Sequence, residues 1–133
     1  MTEKTSDLNS SDAWLMLSIS EISGGGSLRT IVSVGDYINH SIFNPEEIED
    51  GLKRLSAIGY VNIRGQKISS SAKFRKAWDG MKKPKGMIQQ LYLLQEHLGT
   101  KTYTKASLKA VLPKIPDRKT IEGAIKEYLK GWE

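Results

Sequence analysis

Residues 44 to 69 read NPEEIEDGLKRLSAIGYVNIRGQKIS, and the punctuation of this stretch leaves few foldings open. Asn44 suits a helix N-cap, Pro45 opens the helix where a missing N–H costs nothing, and Glu47 at the third position completes an N-x-x-E capping box. Ile48, Leu52, Leu55 and Ile58 recur at helical spacing, and Gly59 stops the helix. Residues 60–63 and 67–69 then flank Gly65-Gln66, which fits a two-residue hairpin turn. The order predicted is helix, stop, strand, tight turn, strand.

Other elements group around this one. Residues 1–11 read as a flexible tail, with Ser11 or Asp12 capping a first helix over about 12–23. Trp14, Leu15, Ser18, Ile19 and Ile22 share one helical face there, although the alternation of Leu15, Leu17 and Ile19 also fits a strand. SGGGS at 23–27 is a break that reads as a flexible loop, and a second helix over 28–39 turns Ile31, Val34 and Ile38 inward. Ser70 or Ser71 caps a fourth helix on which Phe74, Ala77, Trp78 and Met81 share a face. GMKKPKG at 80–86 is a joint, so residues 12–80 are expected as one unit, 81–86 as a linker and 87–133 as a helical region. Helices are expected there over 87–98, over 104–112 and from Asp117 onward, with Pro113 and Pro116 in the loop between. The segment IEDGLKRL at 48–55 also aligns with IEGAIKEY at 121–128, which admits a second, wingless helix-turn-helix in the C-terminal region. At 133 residues the chain is one domain, or two very small ones sharing a core.

The charge is unevenly placed. Residues 1–63 hold four Lys/Arg against nine Asp/Glu, whereas residues 64–85 hold eight Lys/Arg against Asp79 alone. A cationic stretch beside an acidic one points to an edge that meets a polyanion, and the competing reading is a solvated lysine-rich surface. Without cysteine there is no disulfide framework and no Cys-based zinc site. His40 and His97 are too few and too far apart for a metal motif, and His40 is expected to end the second helix. No phosphate-binding glycine loop or nucleophile elbow occurs, so neither a cofactor nor an enzymatic activity is expected. The polar N-terminus and the lack of long apolar runs suggest a cytoplasmic protein without a membrane span.

The phrase PEEIEDGLKRLSAIGYVNIRGQKIS followed by a short helix resembles the recognition helix and wing of winged-helix domains in bacterial regulators of the MarR and PadR type. The resemblance covers residues 12–80 and implies a mainly α fold with a small β-hairpin, duplex DNA as partner, a homodimer and a role in transcription. It would send the third helix into the major groove. The outward stripe of that helix is expected to be Glu46, Asp50, Lys53 and Ala57, with Glu49–Lys53 and Asp50–Arg54 pairing at i,i+4. Candidate DNA contacts are Lys53 and Arg54 on this helix, Arg64 and Lys67 on the hairpin, and Lys73 and Lys76 on the fourth helix. Arg118 and Lys119 in the first turn of the last helix complete the set, while Arg75, Lys82, Lys83 and Lys85 add to the basic stretch. Four acids in the third helix (Glu46, Glu47, Glu49, Asp50) argue against strong phosphate binding there. They leave open a second function, in which residues 46–54 dock a basic protein partner and the fold binds no DNA.

Overall fold

The computed structural model describes residues 4–131, and the fold is mainly helical with a small hairpin. The elements run β1 (Lys4–Thr5), α1 (Ser10–Ser20), α2 (Leu28–Asn39), α3 (Pro45–Ala57), β2 (Val61–Arg64), β3 (Lys67–Ser70) and α4 (Ala72–Asp79). Then follow α5 (Met87–Leu98), β4 (Tyr103–Thr104), α6 (Lys105–Val111), a 3₁₀ turn (Leu112–Lys114) and α7 (Arg118–Lys130). No helix among the described residues is long and apolar enough to cross a membrane.

The element with the strongest local signals is as expected. Asn44 accepts from the Glu47 amide, the Glu47 carboxylate accepts from the Asn44 amide, and Pro45 stands at the first turn of α3. β2 and β3 pair antiparallel with Asn62 opposite Ser69 and Arg64 opposite Lys67. Ser71, one of two candidates, caps α4, and its hydroxyl also donates to the Gly59 carbonyl. His40 ends α2 in the left-handed conformation at φ 52°.

The N-terminus departs from expectation. Part of the presumed tail is ordered, because β1 pairs antiparallel with β4. The cap of α1 is Asn9 rather than Ser11 or Asp12, and Asp12 is the acidic third position of that capping box. The one apolar face expected for α1 is too narrow a description: every residue from Asp12 to Ile19 is buried. A helix enclosed all round needs no amphipathic period, which is why a strand-like alternation could coexist with helical geometry.

Both halves of the chain share one core. Leu15, Ile48, Leu52 and Leu55 belong to the same apolar cluster as Leu94, Leu98, Ile121 and Ile125. α1 packs against α2, α3 and α5, while α7 lies along α2 and α3, and α6 also packs on α3. The segment 80–86 therefore joins two parts of one packed body rather than spacing two independent ones. Two glycines permit the closest approaches. A Cβ on Gly51 of α3 would sit 2.6 Å from Leu15 Cδ2, and one on Gly35 of α2 would sit 2.2 Å from Phe43 Cε2.

Candidate nucleic-acid interface

On a strand, side chains alternate between faces, so the hairpin has an inner and an outer surface. Val61, Ile63 and Ile68 are buried, whereas Asn62, Arg64 and Lys67 are exposed. The register makes the outer surface two polar rungs, Asn62 with Ser69 and Arg64 with Lys67. Arg75, from the first turn of α4, adds a third guanidinium or ammonium group beside them, its NH1 donating to the Ser70 carbonyl. Among the described residues no carboxylate lies within ion-pair distance of Arg64, Lys67 or Arg75. These three cations share a shallow groove of about 260 Å³ with Asn62, Ser69 and the glycine loop.

That loop is built, not merely flexible. Gly26 exchanges two backbone hydrogen bonds of 2.9 Å with Ile68, adding a short third edge to the hairpin. Gly25 has φ +91°, and a Cβ there would meet Ser69 Cβ at 2.7 Å. Only glycine allows both that backbone conformation and that approach. The run of glycines in SGGGS is the sequence signal for the contact, but nothing local says which strand it approaches.

The other candidate cations are distributed differently. The Arg54 guanidinium turns inward and grips Asp12 through Nε at 2.7 Å and NH2 at 3.1 Å. The Asp12 side chain is fully buried and that of Arg54 is 18% exposed. The expected Asp50–Arg54 pair gives way to this one because a buried carboxylate without a partner is far more costly than an exposed one. Glu49 likewise pairs with Arg118 at 2.8 Å instead of Lys53, and Arg118 also reaches Glu46 at 3.6 Å. Lys53 is half-buried on α3. Lys73 is exposed, and its Nζ donates to the Ile58 carbonyl at 2.9 Å at the C-terminal end of α3. Lys76 and Lys119 are exposed on α4 and α7.

The stripe expected to face outward on α3 is mostly covered. Of Glu46, Asp50, Lys53 and Ala57 only Glu46 is fully exposed, because α6 and α7 pack on this helix. α3 is thus a central helix, and the chain's own Arg118 is the basic partner of its acidic first turn.

Two titrating contacts lie away from the hairpin tip. The Tyr60 hydroxyl is 2.6 Å from His97 Nε2, with the rings stacked at 5.8 Å and 7°. Burial, followed by the nearby charge of Lys101, holds the His97 pKa below its ordinary value. Tyr103 donates to Asp7 at 2.6 Å, and burial with that hydrogen bond raises its pKa to about 12. Among the described residues no group of three or more His, Cys, Asp or Glu could hold a metal ion. No family model, curated protein or solved structure matches the chain.

Proposed function

We propose that this chain is a cytoplasmic, non-enzymatic winged-helix protein that binds duplex DNA through its hairpin and α4 and acts in transcriptional regulation. The observation that carries this reading is the outer hairpin surface, where Arg64, Lys67 and Arg75 stand together with no acidic partner among the described residues. The element order supports it too: a helix, the Gly26 edge, two helices, then the hairpin against which that edge is laid.

In this reading the hairpin lies along the sugar-phosphate backbone and its cations displace condensed counterions. Asn62 and Ser69 supply neutral hydrogen bonds between the charged positions, and Lys76 flanks them. α3 supports the hairpin from within and does not insert into the major groove, since α6 and α7 cover its outer stripe. Shape and charge then dominate over base reading, so modest sequence preference is expected. The homodimer belongs to the same proposal; Ile88 and Tyr92 on α5, the latter 67% exposed, are the apolar side chains offered to a second copy. Docking of a basic protein on residues 46–54 is the weaker reading, because Arg118 already occupies Glu46 and Glu49.

Fluorescence anisotropy with a labelled duplex over a salt series tests the proposal. Arg64→Ala with Lys67→Ala should weaken binding by about tenfold or more and lower the log–log salt slope by about 2. Arg118→Ala with Lys119→Ala should leave both unchanged. No binding at low salt, or the same loss from either pair, would refute the hairpin assignment.

A further inference from the structure

A second groove lies on the other side of the hairpin tip, bounded by Gly65 and Gln66, the start of α2 and the exposed flank of α7, with a volume of about 470 Å³. That size is within the range of small-molecule sites. Its apolar lining comes from Leu28, Ile68, Pro116 and Ala124. Its charged lining is Arg29, Lys114 and Glu127, two cations against one carboxylate. Arg29 and Glu127 approach only to 3.9 Å, with side chains 54% and 66% exposed, and such a pair yields readily to a better ligand. Lys114 has no ion-pair partner among the described residues.

Gly123 is the second, independent observation. It lies inside α7, where glycine costs about 0.5–1 kcal/mol relative to alanine. Most mid-helix glycines in this chain are explained by a neighbour: Gly35 meets Phe43 and Gly51 meets Leu15. An ideal Cβ on Gly123 meets nothing within 4 Å, so helix packing does not require the glycine. It faces the groove instead, and its missing side chain keeps the groove open.

We infer that this groove binds a small monocarboxylate with an aliphatic body, the carboxylate held between Arg29 and Lys114 and the chain lying over Pro116, Gly123 and Ala124. The bound anion balances the excess positive charge of the lining, and the apolar body replaces water against the half-buried Pro116 and Ala124. An alcohol of the same length loses the ion pairs, and an amine meets two like charges. The site stands on this geometry and does not depend on DNA binding.

The test is amide-resolved NMR of the full chain without DNA, titrated with octanoate, octanol and octylamine below their aggregation limits. Octanoate should give saturable shifts at Gly123, Gly65 and Leu28 and bind at least tenfold more tightly than the other two. Arg29→Gln with Lys114→Gln should remove that preference. Gly123→Leu should abolish the shifts by filling the groove, while Gly123→Ala reports whether substitution alone disturbs the fold. Absence of saturable shifts, equal binding of octanol or octylamine, or undiminished binding in a folded Gly123→Leu variant would overturn the assignment.

Discussion

The seam between α3 and α7 and the outer surface of the hairpin carry similar side chains in opposite electrostatic situations. At the seam Arg118 is held by Glu49 and Glu46, and one turn along α3 Arg54 is held by buried Asp12. On the hairpin Arg64 and Lys67 stand opposite each other with no acid nearby among the described residues. Like charges facing each other across a ladder destabilise it slightly. A cation is therefore informative about binding only once its partner is known. Arg54 and Arg118 serve the fold, whereas Arg64 and Lys67 on the hairpin have no acidic partner among the described residues.

The largest test of this contrast is on stability. Truncating Arg54 to Ala leaves the Asp12 carboxylate buried and uncompensated, and should cost about 3–5 kcal/mol, as should Asp12→Ala in the reverse sense. Arg64→Ala should stay within about 0.5 kcal/mol, as exposed substitutions do. Urea denaturation measures both. Comparable small losses at the two positions would erase the distinction between a structural and an available cation.

Next in size is the interior position of α3. A methyl group on Gly51 must displace the Leu15 side chain, which is itself fully buried against the core. Overpacking of this kind costs about 1–3 kcal/mol, so Gly51→Ala should destabilise despite the better helix propensity of alanine. A stabilised Gly51→Ala protein would mean that α3 is loosely held and its outer face accessible.

What the sequence disclosed follows the range of the interactions involved. The capping box of α3, the Gly59 stop and the register of the hairpin depend on residues within a few positions, and all were readable. Asp12 is 42 residues from Arg54 and Glu49 is 69 from Arg118. Local spacing offered Asp50 and Lys53 as partners with equal chemical sense, and nothing nearby in the chain ranks the distant choice above them. The same limit hid the covering of α3: an amphipathic helix in the C-terminal half announces that it needs a partner, not which one. For the hairpin, the two-residue turn at Gly65-Gln66 alone put Arg64 and Lys67 at its tip, so these candidate residues were legible as soon as the strands were.

The smallest effect concerns where the packed body ends and the available surface begins. Tyr60 immediately precedes β2, and its contact with His97 fastens the base of the hairpin to α5. Because burial and Lys101 lower the His97 pKa, the folded state resists the proton that the unfolded chain accepts near the ordinary value of about 6.5. The contribution of this histidine is therefore fully present above about pH 6.5 and declines as pH falls below it, until the folded-state pKa is passed. Urea midpoints compared at pH 8 and pH 5 should fall more for the native protein than for His97→Gln. With DNA-free samples, the amide signals of Tyr60 and Val61 should move over the same interval while those of Gly65 and Gln66 stay put. Movement at the tip as large as at the base would show the hairpin to be one rigid extension of the core, with the available surface beginning further out.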